Sequence, residues 1–158
     1  MGVRKLIEDY LQEAMLMQIA TAKNNQPWVC TVHFASDNAL HLFWISQPDR
    51  RHSKEIEENA LVAGTIVIPH TKDQKARGLQ FQGIAKKLTD KKEFSHAIEV
   101  LAKRMEYQSE KIHNLLEGKD NHVPYQIIPE YFVLFDVVNF PQNPQQTYVV
   151  KKGSEVKQ

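Results

Sequence analysis

A change of period constrains this chain most. Up to Ala14, apolar residues recur at helical spacing: Val3, Leu6, Ile7, Tyr10, Leu11 and Ala14. From Met15 onward that spacing gives way to short apolar runs, several of them alternating, each closed by a polar turn. Trp28, Cys30, Val32 and Phe34 face one way; Val29, Thr31 and His33 face the other. Such runs bury their apolar side by lying antiparallel to one another, because a parallel pair needs a crossover of about a dozen residues or more.

The same reading predicts an amphipathic helix over residues 3–14, a strand over 15–22 and a polar turn over 23–27. The second strand covers residues 28–35. Ser36-Asp37-Asn38 is a hairpin turn, and 39–45, rich in aromatic and branched residues, is its return strand. A basic loop over 47–52 leads into a short helix over about 53–59. Residues 61–68 are apolar throughout, the pattern of a strand buried on both faces. A polar loop over 69–74 precedes an alternating strand over 78–88. Asp90 and Glu93 have capping-box spacing ahead of a long helix marked by Phe94, Ala97, Ile98, Leu101, Ala102 and Met105. A shorter helical piece around 112–116 stops at Gly118. Residues 131–138 and 146–150 are the returning strands, and the polar tail 151–158 is expected to fray. A helix, a meander of about five strands, helices and returning strands predict a mainly β, α+β fold. It is an antiparallel split β-barrel with flanking helices, formed by one domain over residues 1–150.

A net charge of +1 gives no nucleic-acid footprint. No apolar run approaches the roughly 20 residues of a membrane span. The first residues read as an acidic amphipathic helix rather than a secretory signal, so a cytoplasmic location is expected. Cys30 is the only cysteine, which excludes a disulfide framework and a cysteine-based zinc site within the chain. Set in an apolar strand, it reads as a buried inert thiol. The seven histidines are scattered and none stand at i, i+4, so no metal site is predicted; His33 and His41 across the hairpin are the nearest approach to a pair.

The segment from Ser46 to Lys54 carries the candidate chemistry. A strand ends, and Arg50, Arg51, His52, Ser53 and Lys54 gather where a helix begins. A helix start offers free N–H groups and partial positive charge, and arginine grips phosphate oxygens in a fork. A solvated basic connector would have the same local composition.

These segments together resemble the pyridoxamine 5′-phosphate oxidase-like family of FMN-binding split barrels. The likeness runs through Ile19-Ala20-Thr21, the turn ending at Pro27, Val29-Cys30-Thr31-Val32-His33-Phe34 and Leu42-Phe43-Trp44-Ile45-Ser46. It continues through Arg51-His52-Ser53-Lys54-Glu55-Ile56-Glu57-Glu58-Asn59, Val62-Ala63-Gly64-Thr65-Ile66 and Arg77-Gly78-Leu79-Gln80-Phe81-Gln82-Gly83. The resemblance implies that Arg51 and His52 hold an FMN phosphate, with Ile45 and Ser46 as phosphate and ribityl contacts. It implies that Val29, Cys30, Thr31 and Val32 lie along the isoalloxazine edge, with Arg77 and Gln80 as further contacts. It also implies a homodimer with the cofactor between subunits. The vitamin-forming oxidases have a longer C-terminal region, which Pro141-Gln142-Asn143-Pro144 does not resemble, so true pyridoxamine phosphate oxidase activity is not expected.

The expected function is that of an FMN-dependent oxidoreductase acting on a small molecule, with the substrate unassigned and no side chain marked as a general acid or base. The alternatives are a non-catalytic flavin- or haem-binding module and a dimeric scaffold without cofactor.

Overall fold

A computed structural model describes residues 2–151; residues 152–158 of the tail expected to fray lie outside the described residues. The elements run α1 (Val3–Glu13), β1 (Leu16–Lys23), β2 (Gln26–His33), β3 (Ala35–Ser36), β4 (Leu42–Ser46), α2 (Arg51–Glu58), β5 (Leu61–Val67), β6 (Arg77–Lys87), α3 (Lys91–Met105), α4 (Ser109–Leu116), β7 (Val123–Asp136) and β8 (Gln145–Val149). The strands form one antiparallel sheet in the order β2-β1-β5-β6-β7-β4-β3, with β8 paired to β7.

That order explains the closure. β2 and β3 are its two ends, yet only Phe34 separates them in sequence. A flat sheet of this width would hold its edges roughly 30 Å apart. The sheet therefore curls until its edges meet at Phe34, which is fully buried and whose amide donates to the Met15 carbonyl at 3.3 Å. This is the antiparallel split barrel with flanking helices that the alternation predicts. The β1–β2 hairpin turns on Asn24 and Asn25, both at positive φ, the pair of left-handed residues that a two-residue hairpin turn requires. α3 starts on Asp90, whose carboxylate accepts from the amides of Lys92 and Glu93.

Four expectations about pairing and element bounds need correction. The second strand does not return on the next one: β2 pairs along its length with β1, and only Ala35 and Ser36 pair with β4. The turn expected at Ser36-Asp37-Asn38 extends to His41, held by the Asp37 carboxylate, which accepts from the amides of Ala39 and His41. The helix expected from residue 53 begins at Arg51, which puts Arg51 and His52 in its first turn. The strand expected from 131 begins at Val123 and runs 14 residues. Pro124 and Pro129 hide its first half, since proline argues against an interior strand. Pro124 stands near the strand's start. Pro129 falls between the stretch paired to β4 and the stretch paired to β8, opposite a register shift at Gly83.

The inner face carries the core: Met17, Ile19, Trp44, Ile66, Phe81, Phe132 and Leu134, with Leu6, Ile7, Tyr10 and Leu11 of α1 added to it. α3 lays Ala97 and Leu101 against Ala35, Phe43 and Leu88, covering the β3–β4 side from outside. α3 also reaches the first part of β7, where Gln126 beside Phe43 is buried; the outer face of β1, β2, β5, β6 and β8 is uncovered. Residues 61–68 were expected to be buried on both faces, but Val62 and Ile66 face the core while Leu61 and Val67 are 62% and 50% exposed. Val29, Ile84 and Val149 share that exposed outer face.

One buried polar pair ties α1 to the end of β7. The Tyr10 hydroxyl donates to the Asp136 carboxylate, which also accepts from the Val138 and Asn139 amides and from the Asn139 side chain. Burial alone would raise Asp136, but these bonds, Tyr10 first, hold it below its ordinary value. Burial, and then the bond to Asp136, push Tyr10 up to about 12. Asp136 therefore contributes stability that is present above its unfolded pKa of about 3.9 and lost as pH falls below it. Tyr10 contributes stability that is present below its unfolded value of about 10 and lost as pH rises towards 12. Tyr10→Phe should cost about 1.5–3 kcal/mol at neutral pH. It should also remove the alkaline loss between pH 10 and 12. Urea midpoints measured from pH 3 to 12 check both effects; an unchanged alkaline limb would sink the assignment.

Candidate functional site: the β4–α2 junction

The last residue of β4 and the first turn of α2 meet across a tight loop. Arg50 N–H donates to the Gln47 carbonyl at 3.2 Å, and Ser53 Oγ donates to the same carbonyl at 2.9 Å. The loop thereby folds back so that Ser46 Oγ and His52 Nε2 are hydrogen bonded at 2.8 Å. Arg50 occupies the cap position of α2 and makes no side-chain capping bond, so the amides of the first turn are left to other acceptors. The uncapped first turn and the positive end of the helix dipole thus face the loop that carries Ser46 and His52.

Electrostatics here follow from burial. Desolvation, with help from the Arg50 charge, pushes His52 below its ordinary value, against an opposing pull from Glu55. The ligand-free imidazole is therefore neutral at pH 7. Arg51 stays half exposed, but it is held. Its Nε donates to Glu55 Oε1 at 3.0 Å, and its guanidinium carbon lies 4.1 Å from the centre of the Trp28 ring. Glu55 is buried and also accepts from the Thr21 hydroxyl. That bond first, and then Arg51, hold its carboxyl below the usual range despite burial.

The remaining residues implied by the resemblance separate into groups. Cys30 and Val32 turn inward and pack on the core, and burial pushes the Cys30 thiol up, away from thiolate chemistry. Val29 and Thr31 stand on the exposed outer face. Gln80 lies on that face too, in one row with Thr31, Gln18 and Thr65 across four strands. Arg77 is at the start of β6, 4.0 Å from Glu13 and over the Tyr10 ring at 5.5 Å. One chain thus brings Ile45, Ser46, Arg51 and His52 together and leaves Arg77 and Gln80 apart from them.

Beside Ile45 and Val32 lies an open cavity of about 450 Å³, lined also by His33 and by Met105, Tyr107, Lys111 and His122 from the α3–α4 region and the approach to β7. Asp120 orients its basic members, accepting from His122 Nδ1 at 2.8 Å and from Lys111 Nζ at 3.5 Å. Sequence reasoning missed these residues, as it missed Thr21 and Glu55, because each comes from a different element. Only the i, i+4 spacing of Arg51 and Glu55 was open to view. His33 and His41 do not form a pair: His41 and His96 both bond Asp37 Oδ2, each at 3.1 Å. Among the described residues no group of three or more His, Cys, Asp or Glu is disposed to hold a metal ion. Among the same residues no helix is long and apolar enough to cross a membrane.

Residues 3–127 match the family model described as pyridoxamine 5′-phosphate oxidase. UPF0306 protein PM1958 of Pasteurella multocida is 29% identical over 135 residues, 85% of this chain and 84% of that protein. Among solved structures, the conserved hypothetical protein Rv2991 of Mycobacterium tuberculosis superposes with a TM-score of 0.72 at 14% identity, covering 98% of this chain and 94% of its own. A FAD-binding protein of Mesorhizobium loti gives 0.63 at 22% identity, covering 84% and 92%.

Proposed function

Because the chain belongs to the pyridoxamine 5′-phosphate oxidase family, we propose that it is a flavoprotein whose FMN phosphate rests on the first turn of α2. The observation that carries this reading is the Ser46–His52 bond beside Arg51, at a helix start that no side chain caps. The donor set suits a phosphate. A hydroxyl, an imidazole, a guanidinium and uncapped backbone amides within one segment are the groups that bind phosphate oxygens. That a neighbour of the same fold is a FAD-binding protein adds support for a flavin.

A bound flavin would supply two-electron transfer to a small molecule, the protein contributing position and electrostatics. Ser46, Arg51 and His52 would hold the phosphate, and Ile45 and Val32 would cover apolar cofactor surface. The substrate would enter the cavity alongside. Met105 and Tyr107 offer it an apolar wall, and Lys111 and His122 offer donors for a polar or anionic end.

The reading also calls for a second copy. Arg77 and Gln80 lie on other parts of the barrel from Arg51, so a cofactor touching both groups needs two chains. The exposed Val29, Leu61, Val67, Ile84 and Val149 give the outer sheet face the apolar surface that such a homodimer would bury.

The protein purified under native conditions should be yellow, release FMN by mass spectrometry and sediment at twice its 18.3 kDa chain mass. The colour should bleach under a reduced nicotinamide or another donor and return in air. Haem absorbance in place of flavin, or a colourless protein that FMN does not bind, would overturn the cofactor assignment. An 18 kDa species at micromolar concentration would overturn the dimer.

A further inference from the structure

An exposed arginine is a poor phosphate ligand until its rotamers are restricted, and here the restriction is visible. Arg51 is held by two contacts: the Trp28 ring 4.1 Å from the guanidinium carbon, and Glu55 Oε1 at 3.0 Å from Nε. Glu55 is itself fixed, because its second oxygen takes the Thr21 hydroxyl and the side chain is buried. Thr21 and Trp28 are register partners on β1 and β2, so the anchor of Glu55 and the ring under the arginine stand on one rung of the hairpin. With Nε engaged, the two Nη groups keep the free edge of the guanidinium, the edge that pairs with two phosphate oxygens.

We propose that Glu55 is a positioning residue that sets the Arg51 guanidinium for a phosphate ester at the α2 N-terminus; this rests on the reading of that N-terminus as the phosphate site. A carboxylate this close works against anion binding by charge. Its benefit is orientation, because the side-chain entropy of Arg51 is spent in folding rather than in binding. Charge and orientation therefore separate experimentally. Glu55→Gln keeps an acceptor for Arg51 and removes the negative charge. Glu55→Met keeps the volume and removes both.

The test measures FMN and riboflavin affinity by flavin fluorescence quenching, in wild type, Arg51→Ala, both Glu55 variants and the Arg51→Ala/Glu55→Met double variant. Glu55→Met should weaken FMN roughly three- to tenfold, the cost of ordering one long side chain. Riboflavin, which lacks the phosphate, should bind as in wild type. Glu55→Gln should bind FMN at least as well as wild type. In the Arg51→Ala background Glu55→Met should change FMN affinity no further. If Glu55→Met weakens riboflavin equally, or acts equally without Arg51, the residue only supports the fold and the proposal fails. If Glu55→Gln loses as much as Glu55→Met, charge rather than orientation is at work and the proposal also fails. If Arg51→Ala leaves FMN affinity unchanged, the phosphate reading itself fails, a result distinct from the other two.

Discussion

FMN affinity should fall by about two orders of magnitude or more when Arg51 and His52 are both replaced by alanine. Arg51 provides the larger part. A hydrogen bond to a charged group contributes about 1.5–3 kcal/mol, so Arg51→Ala alone should weaken FMN about 10- to 150-fold. His52 contributes less at pH 7, because burial keeps the ligand-free imidazole neutral. A phosphate dianion against it favours the protonated form, so binding should take up a proton. The contribution of His52 is then fully present below its ligand-free pKa and is lost as pH rises through the higher, ligand-bound pKa. The phosphate works the other way, becoming dianionic near pH 6. Wild-type affinity should therefore peak near neutrality. His52→Lys should keep its affinity up to about pH 9, since lysine stays charged there. Fluorescence titrations across pH check both parts. The two residues are adjacent and share one ligand, so the double loss should differ from the sum of the single losses. A double variant that holds FMN as tightly as wild type would place the phosphate elsewhere.

The barrel was legible where a local rule and the tertiary packing agree. The Asn24-Asn25 turn, the alternation of β2 and β6, and the Asp90 cap each follow from neighbouring residues. It was obscured where the two part. Pro124 and Pro129 conceal half of β7, because their tolerance depends on which neighbours flank the strand at each point. Leu61 and Val67 read as core because apolar residues on both faces usually mean two-sided burial; here one side is the barrel interior and the other is open in the single chain. The site divides in the same way. Ser46, Arg51 and His52 lie within one short segment, and the loop that joins them is in the sequence. Thr21, Trp28 and Glu55 meet only through the pairing of β1 with β2 and the docking of α2 on that hairpin. Arg77 and Gln80 stand apart from these residues in the single chain.

Gly64→Ala should destabilise the fold by about 3 kcal/mol or more, at or beyond the upper end of overpacking penalties. Gly64 sits in β5 between Ile19 of β1 and Phe81 of β6, on the inner face. A Cβ built there would lie 2.3 Å from the Gln18 carbonyl oxygen and 2.3 Å from the tip of the Phe81 ring. The two clashes differ in kind. Phe81 is a core side chain, 2% exposed, whose ring fills the space a side chain at 64 would need. The Gln18 oxygen belongs to the backbone of β1 and can move only if the β1–β5 pairing opens. Shortening the ring relieves the first clash and leaves the second. Phe81→Leu alone should cost stability through the cavity it creates. Combined with Gly64→Ala it should recover part of the loss, less than the whole, because the carbonyl remains in the way. Denaturant unfolding of the two single variants and the double variant gives the coupling energy directly. A coupling near zero would mean that the ring yields freely. A full rescue would mean that the backbone of β1 yields, and that Gly64 is not what fixes the spacing of β1 and β5 beneath the α2 site.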